Sequence, residues 1–322
     1  MRTAECTTPN HPDKLCDRIS DAVLDACLEQ DPMSRVAIET MGGHGIITIT
    51  GELTTRAQIN VREIARKIVG DKYGVQTNIV MQSSEISQGV DNGGAGDQGI
   101  MVGYACRDNE DMIPQELYLA RSLAQFLYER FPYDGKTQIT LGEHGVITTV
   151  VASFQNTNRE ELEDMIMQWG IIKRVIPKNR IWKVLANPAG DWNIGGFEAD
   201  TGLTGRKLIA DNYGPLVPIG GGAFSGKDAT KVDRSAAYMA RKIAVDYLKK
   251  NKGDFVFVQL AYAIGMTEPV QATIVADGHA EQNIVGYDLT PKGIIEFLDL
   301  QKPQFEKTAE WGHFGNGFKW DN

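Results

Sequence analysis

The feature that most constrains the fold is an internal repeat with a spacing of 100 residues. The runs that begin His44-Gly45-Ile46 and His144-Gly145-Val146 both continue with apolar and threonine residues. Each is followed by polar residues and then by a helix-like segment, at 60–69 and at 159–172. A third strand-like and helix-like pair occurs at 269–276 and 290–300.

This period is too long for a solenoid, whose repeats run about 20–50 residues. Three units, each a sheet with helices on one face, fit the pattern better. We therefore predict an α+β fold of three similar domains related by pseudo-threefold symmetry, at residues 1–93, 94–195 and 196–322. Chance similarity is the alternative, because β-branched runs followed by charged helices are common.

Composition excludes several classes of protein. The 322 residues are 42% hydrophobic, which suits a globular chain of more than one domain. The formal net charge of -9 gives no indication of a nucleic-acid partner. The four cysteines form no CxxC pair or zinc-type spacing, which indicates free thiols in a reducing cytoplasm. We expect no signal segment and no membrane span, since no apolar run of about 18 residues occurs.

Helical periodicity predicts three further helices, at 13–28, 114–131 and 231–248. The glycine-rich stretches at 88–99 and 214–226 are predicted to be loops.

Two glycine motifs in these loops resemble nucleotide-binding fingerprints only superficially. The G-x-G-x-x-G match at 94–99 is followed by a strand-like run at 100–104, whereas a dinucleotide fold needs a helix there. The G-x-x-x-x-G-K match at 221–227 has Asp228 in place of the Ser/Thr that holds Mg²⁺, which argues against a P-loop. A glycine run followed by Lys227 still presents backbone N–H groups and a cation, which together favour phosphate.

Opposite charges are concentrated around the second glycine loop. The cations are Arg206, Lys207, Lys227, Lys231 and Arg234, and the acids between them are Asp200, Asp211, Asp228 and Asp233. Cations and carboxylates beside glycine turns are what a polyphosphate with bound Mg²⁺ requires. An ordinary solvated surface of mixed charge is the alternative.

The segment His11-Pro12-Asp13-Lys14 is similarly dense in functional groups. Pro12 precedes a predicted helix, and Asp13 lies where an N-cap is expected. Capping does not explain the flanking His11 and Lys14. The other histidines, His44, His144, His279 and His313, are interpreted as structural or exposed.

Together these motifs resemble the signature stretches of the methionine adenosyltransferases. The matching stretches are 11–14, 94–99, 202–207, 220–228, 231–238, 262–265 and 312–315, in the order found in that family and over nearly the whole chain. The resemblance implies three similar α/β domains about a pseudo-threefold axis. It also implies a homodimer, possibly a tetramer, with active sites between two subunits, and substrates ATP and methionine.

The resemblance also assigns roles to individual residues. It places His11, Asp134, Lys136, Asp191, Trp192, Asp200, Arg206, Lys207, Ala223 and Lys227 at ATP. It places Glu52, Gln88, Asp97, Asp200, Lys231 and Ile264 at methionine. Asp13 and Asp233 are expected to bind Mg²⁺, two ions per site, and Glu39 is associated with K⁺.

The chemistry of the family suits these residue types. The methionine thioether attacks C5′ of ATP and displaces the triphosphate, which is then hydrolysed to phosphate and diphosphate. A thioether carries no proton, so no general base is needed. The negative charge on the leaving oxygen is expected to be stabilised by Mg²⁺ and by His11 as a cation, Lys136, Arg206 and Lys227, the predicted catalytic residues.

Four features depart from the family pattern. Thr8-Pro9-Asn10 and Asp191-Trp192 replace the usual residues, and the printed chain ends at Asn322 without the usual terminal helix. The loop at 91–93 is several residues shorter than usual, so we expect a less complete gate over the site and tolerance of larger S-alkyl groups.

Two other functions are weighed. A triphosphate hydrolase without alkyl transfer would not need the methionine-side Glu52, Gln88 and Lys231. A non-catalytic partner subunit would be expected to lose the phosphate-site lysines or the metal-site aspartates, and this chain keeps both.

Overall fold

The computed structural model describes residues 1–82, 93–175, 182–278 and 282–322. They form three four-stranded sheets with helices packed against them, so the predicted α+β class is confirmed. Within these ranges, no helix is both long enough and apolar enough to span a bilayer.

The strands are numbered in chain order. They are β1 (Arg2–Thr7), β2 (Arg35–Gly43), β3 (Ile46–Thr54), β4 (Gly74–Val80), β5 (Gly99–Cys106), β6 (Gly135–Leu141), β7 (Ile147–Phe154), β8 (Lys183–Ala186), β9 (Gly202–Leu203), β10 (Phe255–Tyr262), β11 (Gln271–Ala276) and β12 (Gln282–Asn283). The α-helices are α1 (Pro12–Gln30), α2 (Val61–Val69), α3 (Gln115–Arg130), α4 (Arg159–Ile172), α5 (Leu208–Asp211), α6 (Val232–Lys250), α7 (Pro291–Leu298) and α8 (Phe305–Trp311). Short 3₁₀ turns occur at Glu143–Gly145, Gly196–Glu198 and Lys319–Asp321.

Each sheet consists of three strands that follow one another in the chain and a fourth strand from elsewhere. The strand orders are β9-β2-β3-β4, β1-β6-β7-β8 and β5-β10-β11-β12. Strand β1 thus lies in the second sheet, β5 in the third and β9 in the first. Each predicted domain thus contributes one strand to the sheet of another, in a cycle. The sheets therefore cross the expected domain boundaries at 93/94 and 195/196, and those boundaries stay a prediction.

The repeat that the sequence indicated has a structural counterpart. His44-Gly45 and His144-Gly145 form the turns before β3 and β7, and all four residues have positive φ. Both strands occupy the third position of their sheets, as β11 does in the remaining one. The His-Gly pairs were expected to begin the strands, but they form the hairpin turns before them. Residues with positive φ suit such turns, because the turn then matches the twist of the two strands that it joins.

Each sheet carries one long helix on its inner face. Helix α1 packs on β2 and β9, α3 on β1 and β6, and α6 on β5 and β10. The predicted helices are confirmed, with ends shifted by at most two residues. Asn60, Asn158 and Thr290 cap α2, α4 and α7 through their side chains, which explains why those helices begin where they do.

The exchanged strand β5 meets α6 at Gly103, where a methyl group would overlap backbone atoms of Ala240 and Arg241. We expect Gly103→Ala to lower the free energy of unfolding by about 1–3 kcal/mol, since helix and strand backbones must separate. The matched control is Gly74→Ala in β4, where an added methyl group meets only ordinary contacts. Chemical denaturation measures both, and equal stability of the two variants would contradict the prediction.

Candidate active site

The N-terminus of α1 is organised by His11. Its Nδ1 accepts a hydrogen bond from the backbone N–H of Asp13 at 3.2 Å, so His11 is the N-cap and Pro12 lies in the first turn. The prediction that Asp13 caps this helix is therefore wrong. Since the imidazole takes that position, the Asp13 carboxylate is free to bind other groups.

Asp13 is buried and binds the segment that follows β9. Its carboxylate accepts the backbone N–H of Leu203 at 3.0 Å, pairs with Lys207, and lies 3.5 Å from Nε of Arg206. Burial opposes the charged form, but the hydrogen bonds from Lys207 and Leu203 outweigh it and hold the pKa of Asp13 below its ordinary value. Asp13, the predicted Mg²⁺ ligand, thus lies beside Arg206 and Lys207, which are both predicted to bind phosphate.

His11 is expected to be neutral in the ligand-free protein, and its role as a cation beside the triphosphate stays a prediction. Burial, followed by the positive charges of Lys207 and Lys136, lowers its pKa to about 3. Because Nδ1 accepts a hydrogen bond, the ring hydrogen is on Nε2, which can donate to a ligand oxygen. His11 is therefore equipped as a hydrogen-bond donor.

Three further predicted ATP residues lie near His11. Lys136 is exposed on β6, paired in register with Thr7 of β1, and its charge acts on both His11 and Asp134. Asp134 accepts the backbone N–H of Gly196 at 2.9 Å, and burial raises its pKa. Exposed Asp200 acts electrostatically on His11 and on Asp134. We call this group the Asp13 cluster: His11, Asp13, Asp134, Lys136, Asp200, Arg206 and Lys207.

A second pair of opposite charges lies at the start of α6. Nζ of Lys227 is 2.6 Å from the Asp233 carboxylate. Gly222 lies directly against that carboxylate, where a side chain would collide with it. Glycine is thus required at 222 by close approach, as it is at Gly226, whose φ is +82° and whose backbone lies on the carbonyl of Ile38.

The predicted methionine residues on this side surround the glycine loop at 94–98. Gly96 donates its N–H to the carbonyl of Thr230, beside buried Lys231, which pairs with Asp228. Ala95 exchanges backbone hydrogen bonds with Gly265 and Met266, beside exposed Ile264. We call the group Asp97, Ala223, Lys227, Lys231, Asp233 and Ile264 the Asp233 cluster. Gln88, and Asp91 and Asn92 of the shortened loop, lie outside the described residues.

The structure links the two clusters through two loops. A Cβ at Gly205, next to Arg206, would lie 2.7 Å from the Cβ of Ala223. The loop before α6 that carries Lys227 therefore packs on the turn that carries Arg206 and Lys207.

The remaining predicted residues lie at the edge of these clusters. Glu39 and Glu52 are on the outer face of the first sheet, where Glu52 is opposite Ala37 and Ala37 bridges to Lys227. Trp192 and Asp191 both hydrogen-bond Asn187. Within the described residues, no hydrogen bond joins either side chain to Asp134.

In the described parts of the chain, no three His, Cys, Asp or Glu side chains converge to hold a metal ion. Mg²⁺ is commonly bound by one or two carboxylates together with substrate phosphates. Asp13 and Asp233 fit that arrangement, since each is a single carboxylate whose partner is a lysine that a phosphate would attract.

Sequence reasoning missed a stripe of carboxylates along α1. Asp13, Asp17, Asp21 and Asp25 are four residues apart and lie on one helix face. We call them the aspartate stripe. The i, i+4 spacing of these aspartates is visible in the sequence, but the helix was predicted from its apolar residues alone. Lys14, noted but unexplained, is buried between Asp17 and Asp211.

Comparison with known proteins identifies the family. Models of the N-terminal, central and C-terminal domains of S-adenosylmethionine synthetase match residues 1–92, 92–192 and 194–322. The chain belongs to the S-adenosylmethionine synthetase family. The predicted methionine adenosyltransferase activity is confirmed by this membership.

Members of the family from several bacteria align over 99% of the chain. S-adenosylmethionine synthases of Wolinella succinogenes and Helicobacter hepaticus are 40% and 42% identical to it, with 94% of each relative covered. That of Brachyspira hyodysenteriae is 41% identical, with 95% covered. These alignments run over 365–374 positions, more than the 322 residues of the chain, so the prediction of a short member of the family is confirmed.

We expect Lys227→Ala to lower turnover about 10²–10³-fold, because it removes one of the charges that stabilise the leaving triphosphate. The melting temperature should fall less than it would on loss of a fully enclosed pair such as Arg234–Asp21, since the Lys227 side chain keeps 23% of its surface exposed and water can enter in its place. Lys242→Ala is the matched control, because Lys242 pairs with Asp246 at similar exposure on α6, the helix that also carries Asp233, and lies outside both clusters. A Lys227→Ala variant that melts far below wild type yet stays active would contradict the assignment.

Proposed function

We propose that the Asp13 and Asp233 clusters form the site at which ATP and methionine react to S-adenosylmethionine, phosphate and diphosphate. The observation that carries the proposal is the pair of carboxylate–lysine contacts, Asp13–Lys207 and Asp233–Lys227, each beside closely packed glycine backbone. A phosphate chain attracts the lysines, and the carboxylates are then released to a divalent cation.

The residues of the chain act by binding and orientation. Sulfur attack on C5′ moves no proton, so no side chain is needed as a base. Lys136, Arg206, Lys207 and Lys227 stabilise the charge that develops on the departing triphosphate, and Nε2–H of His11 donates to one of its oxygens. Asp97, Lys231 and Ile264 hold methionine beside the glycine loop, with Asp200 shared between the two substrates.

The metal assignment follows from the donors available. Carboxylates and phosphate oxygens are hard ligands, which suit Mg²⁺. When bound, Mg²⁺ would neutralise the triphosphate charge at Asp13 and at Asp233. We further propose that K⁺ associates with Glu39 and that the protein works in the cytoplasm, where its four buried thiols stay reduced.

The outer face of the first sheet supports a homodimer. Met41, Ile46 and Val80 are 50%, 50% and 57% exposed there, on the face that also carries Glu39 and Glu52. Exposed apolar side chains on a flat sheet suit a self-complementary interface. We propose that two copies meet through this face, so that the Asp13 cluster of one protomer adjoins the Asp233 cluster of its partner.

Purified protein incubated with ATP, methionine, Mg²⁺ and K⁺ should yield S-adenosylmethionine, phosphate and diphosphate in equal amounts, as measured by mass spectrometry. Removal of divalent cations with a chelator should abolish turnover, and added Mg²⁺ should restore it. Asp13→Asn and Asp233→Asn should each raise the Mg²⁺ concentration needed for half-maximal rate. Hydrolysis of ATP without any S-adenosylmethionine would contradict the proposal in favour of a hydrolase.

A two-chain site predicts complementation between inactive variants. Lys136→Ala damages the Asp13 cluster and Lys227→Ala the Asp233 cluster, so a mixed dimer keeps one intact site of two. Co-expression in equal amounts should restore about a quarter of wild-type activity, because about half of the dimers are mixed. His11→Ala with Lys136→Ala is the control, since both residues belong to one cluster and no mixed dimer regains a site. A mixture of Lys136→Ala and Lys227→Ala that stays inactive would show that each site lies within one chain.

A further inference from the structure

The aspartate stripe connects α1 to the loops that carry the phosphate-binding cations. Asp13 accepts the backbone N–H of Leu203 at 3.0 Å, and Asp17 that of Gly205 at 2.7 Å. One turn further along α1, Asp21 accepts the N–H of Gly226 at 2.8 Å. Gly205 directly precedes Arg206 and Lys207, and Gly226 directly precedes Lys227.

Asp17 and Asp21 are buried, and each lies against a buried cation: Asp17 against Lys14, which is shared with Asp211, and Asp21 against Arg234. Nζ of Lys14 lies 3.2 Å from Asp17, and Arg234 binds Asp21 with two hydrogen bonds of 2.6 and 2.9 Å. A buried carboxylate with a fixed counterion is a rigid acceptor, because neither group can turn to water. The stripe thus holds its loops with little freedom.

Lys14 also binds the C-terminal end of the stretch 205–211, which carries Arg206 and Lys207. It pairs with Asp211, the last residue of α5, while Asp17 binds Gly205 at the loop's beginning. The stretch that carries Arg206 and Lys207 is therefore fixed at both ends to one lysine and one aspartate of α1. Helix rise sets the Asp17 and Asp21 anchors about 6 Å apart along the axis.

We infer that Asp17 and Asp21 are positioning residues that set the placement of Arg206, Lys207 and Lys227 through the backbone N–H groups of Gly205 and Gly226. The inference rests on the proposed phosphate role of those three cations. Neither aspartate is placed at a substrate. Their effect is to fix the backbone from which the cations extend, before ATP binds.

Asp25 offers a matched control within the same stripe. It accepts the backbone N–H groups of Gln304, Phe305 and Glu306 at 2.8–3.0 Å, and that segment carries no residue of either cluster. Loss of Asp25 should therefore lower stability in the same manner as loss of Asp17, without displacing a phosphate-binding cation.

The test compares Asp17→Ala, Asp17→Asn and Asp25→Ala. Asp17→Ala removes the acceptor for Gly205, so kcat and the affinity for inorganic tripolyphosphate should each fall about ten- to a hundredfold, while KM for methionine changes little. Asp17→Asn keeps an amide oxygen for Gly205 and turns an NH₂ group toward Lys14, whose charge still has Asp211 as a partner, so both quantities should fall less than in Asp17→Ala. Asp25→Ala should melt lower than wild type with unchanged kinetics.

Calorimetric titration with tripolyphosphate, steady-state kinetics and thermal melting give the three measurements on the full-length protein. If Asp17→Ala and Asp25→Ala behave alike, or if asparagine at 17 loses as much as alanine, the positioning role is overturned. Should Asp17→Ala fail to fold, Asp17→Leu, which also removes the acceptor for Gly205 but keeps the buried volume, takes its place in the same comparison. If Lys227→Ala and Arg206→Ala bind tripolyphosphate as wild type does, it is the proposed phosphate site that fails instead.

Discussion

The rest of the structure depends on hydrogen bonds that aspartate side chains of α1 accept from the backbone N–H groups of distant loops. Through buried Asp13, Asp17 and Asp21 and half-buried Asp25, one N-terminal helix binds segments that lie between residues 203 and 306. Hydrogen bonds to a charged acceptor are about twice as strong as neutral ones, and burial removes the competition of water. The helix is at once part of the first sheet's core and the attachment for both cation-bearing loops.

Neutralisation of these carboxylates explains why so many charged groups are buried in an acidic protein. Lys14 and Arg234 are both fully enclosed, and Arg234 also lies over the ring of Phe305. Removing either cation would leave a buried carboxylate without a counterion, which is costly. In contrast, Lys207 and Lys227 keep 13% and 23% of their side-chain surface exposed, so a ligand can reach them and replace their carboxylate partners.

Much of this arrangement could be predicted from the sequence. Hydrophobic periodicity located α1, α3 and α6, because long amphipathic helices leave a strong pattern, and the 100-residue repeat indicated three alike units. The order of elements around 94–99 and 221–227 excluded a Rossmann fold and a P-loop, and the structure agrees, since β5 follows the first motif and no strand leads into the second. Family resemblance supplied the site residues, most of which lie in the Asp13 and Asp233 clusters, while Glu39, Glu52, Asp191 and Trp192 lie at their edge.

What could not be predicted depends on contacts between distant parts of the chain. That His11 caps α1 depends on its position in the folded chain. That its pKa is lowered depends on burial and on the charges of Lys207 and Lys136. The bond between Asp17 and Gly205 joins residues 188 apart, so no local pattern reports it. Likewise, two-residue β9 is too short to recognise in the sequence, yet it completes the first sheet.

The cyclic exchange of strands has a consequence for synthesis on the ribosome. Domains that are contiguous in sequence fold one after another as they emerge, but here β1 needs β6, β5 needs β10, and β2 needs β9. The first sheet, which contains β2, is not complete until β9 has been made at residue 203. Strand β1 stays without its neighbour β6 until the ribosome has passed residue 135. The chain must therefore carry unpaired strand edges through most of its translation, so rapid elongation or early chaperone contact would favour its native assembly.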